Sequence, residues 1–452
     1  MCGKPGATLV LSEFVSSLNY ESLPLPVRQM AAICIMDYLG AAIVGSQSRE
    51  AILARNFVRQ MGGNPQAKVI GAEMVISMPL AALANGVAAH VYELDDAHRY
   101  ATGLHPGATI IPAVLAAGQF YRKGRKEIIT ALVAGYEVAA RVGRAINPSH
   151  RYRGFHSTGT VACLGAAAGV AKVLGLTTEQ VAWALGLAGS MAGGIFEFLR
   201  DGSFSKLLHA GHAAFSGVTT ALLASEGFTG PSTVLEGEEG FCRAFSDKFN
   251  LEMLTKELGS QYEMDYVYFK RHAACGHSFS AVDSALEIRR QLDGMFDRIR
   301  HINIKTYRAA AVLAKKEPDS VRDAKFSIPY AVALALVKGS AGHFHFCEEN
   351  LHDEKILNLA AKIDVWEDKE ITANFPEKRT AVVEAKLENG KVLTVKVDIP
   401  RGMPENPLSE EELIEKFKAL AGMRLDPVKT KNIIDVVLIT HNESFNTVLA
   451  EI

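Results

Sequence analysis

Apolar side chains recur at helical spacing through most of the first 265 residues, and this periodicity restricts the fold more than any other feature of the sequence. Several of these segments are rich in glycine and alanine, as in residues 165–169, and such small residues let helices approach one another closely. The spacing predicts helices over residues 27–44, 80–91, 126–142, 160–174, 178–192 and 204–225. This part of the chain is therefore predicted to form a large, tightly packed helical domain.

The pattern changes near residue 266, and a chain of 452 residues is too long for one ordinary core. Residues 298–313 alternate in polarity like a strand, and residues 381–399 are typical of a hairpin with Asn389-Gly390 at its turn. Helices are still predicted in this region over residues 278–291 and 326–337. We expect a smaller α+β domain over residues 266–404.

Helical spacing returns after residue 404. Ser409 is followed three residues later by Glu412, which is typical of a capping box, and residues 431–449 have the spacing of a last helix. We expect residues 405–452 to pack back on residues 1–265 and complete the helical domain. The predicted fold class is mainly α, with a large all-helical domain and a smaller α+β domain.

The charge distribution excludes several classes of function. The net charge is −2, so the chain has no basic surplus for nucleic acid and no polybasic segment for a membrane surface. No helical segment reaches about 18 apolar residues free of charge. The interrupting residues are Lys172, Glu179, Glu197 and Lys206. The first 19 residues do not resemble a secretory signal, and we expect a cytoplasmic protein that binds neither nucleic acid nor a membrane.

The cysteines are expected to be reduced thiols. The chain has six, and no two of them form a Cys-x-x-Cys pair. Such spacing is typical of a cytoplasmic protein and argues against an iron–sulfur cluster.

A polar loop, residues 93–107, separates two stretches that carry almost no charge, residues 78–91 and 108–120. The loop carries the charged or imidazole side chains of Glu93, Asp95, Asp96, His98, Arg99 and His105. Such groups are costly between buried helices unless they have a function, because desolvating a charge is unfavourable. This loop is the first indication of an enzyme.

A second polar segment, residues 154–159, precedes an apolar helix. Ser157 or Thr158 is predicted to cap that helix, which would leave His156 beside a helix N-terminus, a position that attracts anions. The alternative is a surface histidine in a turn.

A third polar segment, residues 201–206, opens another helix with Lys206 in its first turn. A cation there opposes the helix dipole, which is explained if Lys206 faces a bound carboxylate; a solvated lysine is the alternative. His209 and His212 follow at helical spacing, but no third ligand accompanies them, so we do not expect a metal site.

Two more segments lie in the predicted α+β domain. Residues 269–277 include Lys270, Cys275 and His277. A solvated basic edge is the alternative explanation for the cations in this segment, but it explains the Cys-Gly-His sequence poorly. Residues 323–330 place Tyr330 at the start of an apolar helix, where core packing is the alternative to a role in a site. Together the segments supply cations, a phenol and possible bases without a nucleotide-binding loop. This set suits a small di- or tricarboxylate, because removing a proton next to a carboxylate builds negative charge that cations stabilise.

These segments, in this order, resemble the MmgE/PrpD family, which includes 2-methylcitrate dehydratase, cis-aconitate decarboxylase and iminodisuccinate epimerase. The resemblance covers nearly the whole chain. It is carried by the Asp-Asp loop ending in His105-Pro106-Gly107, the Gly-Phe-His segment at 154–156, the Ser205-Lys206 helix start and the stretch from Lys270 to Cys275-Gly276-His277. It implies a large helical domain made from both chain ends, a smaller α+β domain, a homodimer, and no metal or organic cofactor.

The resemblance also implies site residues. The pocket of the family corresponds here to the Asp95-Asp96 loop, His105, His156, Lys206, Lys270 and Tyr330. The predicted catalytic residues are Asp95, Asp96, His105, His156 and Tyr330. The predicted substrate-binding residues are Lys206, Lys270, Cys275, His277, His98 and Arg99. The chain departs from the decarboxylase, which has aspartate at Glu93, threonine at Ala97 and histidine at Cys275. It also has His272-Ala273 where other members commonly have Tyr-Pro. These changes argue against the decarboxylase and leave the substrate open.

The leading hypothesis is a cofactor-free lyase that dehydrates a small polycarboxylate. His105 is expected to transfer the proton, with Asp95 or Asp96 orienting it, and His156 to bind a carboxylate or act as an acid. A dicarboxylate epimerase or isomerase is the second hypothesis and a decarboxylase the third. A carboxylate-binding helical protein without activity is the alternative from a different class.

Overall fold

The computed structural model describes residues 6–439, 448, 449, 451 and 452, with the side chain of residue 201 excepted. Helix accounts for 58% of the chain and strand for 9%, which confirms the predicted mainly α fold. The chain forms two compact units. The helical unit contains the described residues of Met1–Val91, Asp95–Val267 and Ser409–Ile452, and the mixed unit contains Tyr92–Leu94 and Tyr268–Leu408.

The α-helices, in chain order, are α1 Ala7–Ser17, α2 Leu25–Gly45, α3 Arg49–Met61, α4 Met78–His90, α5 Gly107–Phe120, α6 Arg125–Ile146, α7 Ser149–Tyr152, α8 Ser157–Leu174, α9 Thr178–Met191, α10 Phe198–Asp201, α11 Ser205–Ser225, α12 Phe241–Phe245, α13 Phe279–Gln291, α14 Arg308–Ala311, α15 Val321–Ala324, α16 Ile328–Lys338, α17 Glu348–Leu351, α18 Glu354–Ala361, α19 Lys369–Ala373, α20 Glu410–Ala421 and α21 Pro427–Ile434. The strands are β1 Ala67–Lys68, β2 Val75–Ile76, β3 Ala97–His98, β4 Val267–Tyr268, β5 Ile299–Thr306, β6 Ile363–Glu367, β7 Ala381–Leu387 and β8 Val392–Val397. The six helices predicted from the first 265 residues correspond to α2, α4, α6, α8, α9 and α11.

Helix α8 lies at the centre of the helical unit and packs against α5, α6, α9 and α11. Its close contact with α6 depends on two glycines. A Cβ added at Gly135 would lie 2.7 Å from the carbonyl oxygen of Gly165, and one added at Gly165 would lie 2.6 Å from that of Gly135. These distances are too short for any side chain, so glycine at both positions permits the close packing that the glycine- and alanine-rich segments predicted.

Three helices, α2, α8 and α11, are long and apolar enough to cross a membrane by length and composition. These helices are apolar on average but contain a few charged residues, such as Lys172 and Lys206, so they are not the charge-free apolar runs that the sequence lacks. Between 67% and 89% of each apolar stretch is buried inside the chain. Packing against neighbouring helices therefore covers most of their apolar surface.

The mixed unit is built on a four-stranded sheet with the order β6-β5-β7-β8. Strand β5 pairs parallel with β6 and antiparallel with β7, and β7 and β8 form the predicted hairpin, with Gly390 at φ +84° in its turn. Helix α13 packs on β7 and β8. The prediction of one strand over residues 298–313 is wrong in its second half: β5 ends at Thr306, and the alanine-rich residues that follow form α14, since alanine favours helix.

The C-terminal segment begins with the predicted capping box. The Ser409 hydroxyl accepts from the backbone N–H of Glu412, whose carboxylate accepts in return from the backbone N–H of Ser409. Helix α20 then packs on α2 in the helical unit. Of the helix predicted over residues 431–449, α21 ends at Ile434 and a π-helical turn follows over Asp435–Ile439; residues 440–447 lie outside the described residues.

Candidate active site

The polar loop connects the end of α4 at His90 to the start of α5 at Gly107, and the Asp96 side chain holds it there. One carboxylate oxygen of Asp96 accepts from the backbone N–H of Gly107 at 2.8 Å, and the other accepts from the Tyr136 hydroxyl at 2.8 Å. Burial, aided by the charge of Asp37, raises the pKa of Asp96 to about 7. The carboxylate of Asp96 therefore holds the start of α5 and the Tyr136 hydroxyl to the loop, and its catalytic role stays a prediction.

Asp95 lies between two imidazoles. Its Oδ2 is 2.8 Å from Nδ1 of His90 and 3.2 Å from Nδ1 of His105. The carbonyl oxygen of Asp96 lies 3.0 Å from the same nitrogen of His105. The sequence left open which aspartate orients His105; in the structure the carboxylate comes from Asp95 and only a backbone carbonyl comes from Asp96.

These contacts determine where the ring hydrogens lie. Carboxylate and carbonyl oxygens only accept, so Nδ1 of both His90 and His105 must carry a hydrogen and donate it. In a neutral imidazole the other nitrogen, Nε2, then carries the basic lone pair. The side chain of His105 is 12% exposed while that of Asp95 is fully buried, so His105 is the ring that reaches towards solvent.

His90 was missed by the sequence analysis because it is the last residue of an apolar helix. It is fully buried, and desolvation lowers its pKa well below the usual value, against the opposing effect of Asp95. Among the described residues its Nε2 has no hydrogen-bond partner. The available signal was that His90 is the one titratable residue between 78 and 91 and lies five positions before Asp95.

His156 is the N-cap residue of α8, and its ring lies within 6.2 Å of the ring of His90, measured between centroids. Its Nδ1 lies 3.0 Å from Nδ1 of His209 on α11. Burial lowers the pKa of His156 well below its usual value. His156 is buried, which excludes the alternative of a surface histidine in a turn. His209 had been considered only as a possible metal ligand.

The predicted caps of α8 are wrong. The hydroxyl of Ser157 donates to the carbonyl oxygen of Thr102, and that of Thr158 donates to the carbonyl oxygen of Gly103, both at 2.8 Å. The Thr158 hydroxyl also accepts from the backbone N–H of His105 at 3.1 Å. These side chains therefore bind the polar loop to the start of α8 instead of capping the helix.

Lys206 is the second residue of α11 and is buried, with 5% of its surface exposed. Its positive charge contributes to lowering the pKa of both His90 and His209, which puts the ammonium group within electrostatic reach of both rings. This position excludes the alternative of a solvated lysine. The helical unit thus brings together His90, Asp95, His105, His156, Lys206 and His209.

Two other predicted residues of the loop are occupied by protein contacts. Nε2 of His98 lies 3.2 Å from Glu263, and its Nδ1 accepts from the backbone N–H of Ala101 at 3.1 Å. Arg99 is 1% exposed, with its guanidinium 5.2 Å from the ring centroid of Tyr100. Both residues support the folded loop through these contacts, and their role as substrate contacts stays a prediction.

The mixed unit has its own pair of buried lysines. The ammonium of Lys270 lies 2.7 Å from the carboxylate of Glu93, a residue whose backbone has φ +57°. Lys325 donates to the carbonyl oxygen of Tyr92 at 2.7 Å, and burial, aided by repulsion from Lys270 and Arg322, lowers its pKa to about 7. Lys325 was missed, although it lies in the segment that was singled out for Tyr330.

The remaining predicted residues of the mixed unit do not form one cluster. The backbone N–H of Cys275 donates to the carbonyl oxygen of Lys325, while Nδ1 of His277 lies 2.8 Å from the Tyr307 hydroxyl. Tyr330 is 1% exposed within α16, and its ring centroid lies 6.2 Å from that of Phe346. The surroundings of Tyr330 fit the core-packing alternative, and burial raises its pKa.

His90, Asp95 and His105 offer three possible metal-ligand atoms that lie within 4.8 Å of one another. The separations of 2.8 Å and 3.2 Å from Asp95 are those of hydrogen bonds. Nδ1 of His90 and Nδ1 of His105 are therefore hydrogen-bonded to Oδ2 of Asp95, whereas Nε2 of His90 has no hydrogen-bond partner among the described residues. The described cysteines are free, as predicted; Cys2 lies outside the described residues.

Comparison with known proteins places the chain in a family. The family model of the MmgE/PrpD N-terminal domain matches residues 10–254, and that of the MmgE/PrpD C-terminal domain matches residues 272–442. Cis-aconitate decarboxylase of Aspergillus terreus is 27% identical over 96% of this chain and 93% of its own length. The human cis-aconitate decarboxylase is 28% identical over 94% and 89%, and the 2-methylcitrate dehydratase of Salmonella typhimurium is 25% identical over 93% and 91%. These relatives are lyases, in agreement with the predicted enzyme class, and the chain belongs to the MmgE/PrpD family.

Proposed function

We propose that this protein is a cofactor-independent lyase that removes a proton next to a carboxylate of a small di- or tricarboxylate and then eliminates water. The observation that carries the proposal is the hydrogen bonding of His105. Its Nδ1 faces two acceptors, the carboxylate of Asp95 and the carbonyl of Asp96, so Nε2 is the basic nitrogen. A neutral imidazole whose base is oriented by a buried carboxylate suits proton abstraction near neutral pH.

In the proposed reaction, Nε2 of His105 takes the proton from the carbon next to the carboxylate. The carboxylate of Asp95 stabilises the resulting imidazolium, and the charge of Lys206 stabilises the enolate-like state. The electron pair of the broken C–H bond forms the carbon–carbon double bond as the C–O bond breaks. His156 gives a proton from Nε2 to the leaving hydroxyl, which departs as water.

Epimerisation is an alternative, because it begins with the same proton abstraction and ends with return of the proton to the opposite face. Decarboxylation is supported by a different observation, the similarity to cis-aconitate decarboxylases over nearly the whole chain. That reaction needs an acid to protonate carbon after CO₂ leaves. A pre-oriented base at His105 favours dehydration over decarboxylation.

The test is incubation of the wild-type protein in deuterium oxide with a panel of di- and tricarboxylates, followed by NMR. The panel contains citrate, 2-methylcitrate, aconitate and simple dicarboxylates. Loss of water is the expected result. Exchange without net conversion supports the epimerase, and release of CO₂ from aconitate supports the decarboxylase. The absence of any reaction across the panel refutes the proposal. His105→Gln is the matched control, in which all reaction should fall.

We also propose that the protein is a homodimer. Phe204, Leu208 and Leu223, on α11 or next to its start, are exposed apolar side chains. Large exposed apolar groups along one helix are typical of a surface that another subunit covers. Light scattering of the purified chain should give about twice the 48.8 kDa of one copy. A monomer at micromolar concentration would contradict this expectation.

Free thiols at all described cysteines support a location in the reducing cytoplasm.

A further inference from the structure

The contact between His156 and His209 places two imidazole nitrogens opposite each other. Nδ1 of His156 lies 3.0 Å from Nδ1 of His209. A ring nitrogen either carries a hydrogen and donates or carries a lone pair and accepts. One of the two rings must therefore donate at Nδ1, and the other must accept. When neutral, the accepting ring carries its own hydrogen on Nε2.

The surroundings keep both rings uncharged near neutral pH. The ring of His156 lies 4.8 Å from that of Phe196 and 5.6 Å from that of Phe198. Burial lowers the pKa of His156 well below its usual value, and repulsion from His209, His90, His105 and Arg151 lowers it further. Burial also lowers the pKa of His209 to about 4, with additional effects of Lys206 and His212. Neither ring is therefore an imidazolium at rest, so neither holds an extra proton that it could give in the reaction.

A neutral His156 has a difficulty as an acid. If it gives the hydrogen of Nε2 to a leaving hydroxyl while Nδ1 carries only a lone pair, the ring becomes an anion, which is costly in a buried site. His156 can give its Nε2 proton to the hydroxyl and stay neutral when its Nδ1 gains a hydrogen in the same step. Among the described residues, the ring of His209 is the one side chain hydrogen-bonded to the His156 ring. Unlike His156, His209 is partly exposed, so its own Nε2 can exchange with water.

We propose that His209 relays protons from solvent to His156. This inference rests on the proposed function, in which His156 protonates the leaving hydroxyl. At rest His209 donates from Nδ1 and His156 carries its hydrogen on Nε2. As the hydroxyl takes that hydrogen, His156 takes the Nδ1 hydrogen of His209, and Nε2 of His209 takes a proton from water. Both rings end neutral with their hydrogens moved to the other nitrogen. After product release, the proton held by the imidazolium of His105 passes through water in the site to Nε2 of His156. His156 returns its Nδ1 hydrogen to His209, and Nε2 of His209 releases its proton to solvent, which restores the resting pair.

The test uses three variants. His209→Asn keeps an N–H donor near the position of Nδ1 but cannot pass a proton, so it should preserve the tautomer of His156 and lower kcat by about 10- to 100-fold. His209→Ala removes both properties. His212→Asn is the matched control, because His212 lies one turn along the same helix, is half-buried and, among the described residues, has its side-chain hydrogen bond with Ser216, at 3.5 Å, and none with His156 or His209. The control should keep the kcat of the wild type. Added imidazole should restore part of the lost kcat in His209→Ala.

NMR of protein with ¹⁵N-labelled histidine rings reports the tautomer without substrate, and loss of its signals in His156→Gln assigns them. We expect hydrogen on Nε2 of His156 in the wild type and in His209→Asn. Hydrogen on Nδ1 of His156 in the wild type would overturn the relay, whatever reaction the enzyme catalyses. A wild-type kcat in His209→Asn would overturn it as well. Failure of the proposed function would appear separately, as a lack of turnover by the wild type across the carboxylate panel.

Discussion

Replacing Asp95 with asparagine tests the proposed site most directly. Oδ2 of Asp95 accepts from His90 at 2.8 Å and lies 3.2 Å from Nδ1 of His105. Asp95→Asn keeps the size of the side chain, but it removes the charge and turns one acceptor into an NH₂ donor. The amide oxygen can still accept from both rings at the position of Oδ2, and the carbonyl oxygen of Asp96 still faces Nδ1 of His105. The substitution therefore removes the negative charge beside His105 while leaving its tautomer unchanged.

The expected magnitude follows from the lost charge. His105 becomes an imidazolium as it takes the proton, so the carboxylate of Asp95 makes a charge-assisted hydrogen bond that is typically worth ~1.5–3 kcal/mol. At about 1.4 kcal/mol for each factor of ten, losing the charge slows turnover by roughly 10- to 150-fold. We therefore expect kcat of Asp95→Asn to fall by a factor in this range.

The assay is steady-state turnover on the substrate that reacts in the carboxylate panel, with urea unfolding to check that the variant is folded. Asp96→Asn is the matched control. Asp96 is the adjacent carboxylate and is also buried, but its carboxylate oxygens accept from Gly107 and Tyr136, and only its backbone carbonyl, which the substitution keeps, faces His105. It should lose stability with little change in kcat. A kcat within about threefold of the wild type in Asp95→Asn, or an equal loss in both variants, would refute the reasoning.

Three further outcomes are expected. Lys206→Ala should weaken substrate binding by about 10- to 100-fold, because a charge-assisted contact is lost, whereas Lys172→Ala should not, since Lys172 donates to the Ser16 carbonyl; equal kinetics in the two variants would remove Lys206 from the site. The pKa of Asp96 is raised to about 7, so the folded protein holds one more proton than the unfolded chain between about pH 4 and 7, and its free energy of unfolding should fall as pH rises through that window; Asp96→Asn should flatten this slope in urea titrations, and an unchanged slope would contradict the assignment. Turnover should survive exhaustive chelation, because Nδ1 of His90 and Nδ1 of His105 are hydrogen-bonded to Asp95 in the group of residues that could hold a metal; stoichiometric metal whose removal abolishes turnover would contradict this expectation.

The sequence identified many of the residues that meet in the helical unit, because each lies where an apolar helix begins or ends. Asp95, His105, His156 and Lys206 all stand out as polar groups at such junctions. His90 and His209 do not stand out in this way, because each lies within the regular pattern of a helix and is easily interpreted as a packed side chain. Their importance depends on partners five and 53 positions away along the chain.

The roles within the loop were harder to predict than its composition. Asp95 and Asp96 are adjacent and chemically identical, and only their hydrogen-bond partners distinguish the group that orients His105 from the one that holds the start of α5. His98 and Arg99 were predicted as substrate contacts because they are polar and near the site. They are buried, and a loop inside a protein must satisfy its own polar groups, so both are used for the fold.

Local pattern was sufficient for the helices, the hairpin with Gly390 at its turn and the capping box of Ser409 and Glu412, because each depends on residues within a few positions of one another. The family resemblance likewise needed only the order of short motifs. Three-dimensional packing was required to end β5 at Thr306, to group Tyr92–Leu94 with the mixed unit and to orient the rings of His105 and His156. Which nitrogen of a histidine carries its hydrogen depends on the acceptor opposite it, and residues distant in sequence meet only after the chain has folded.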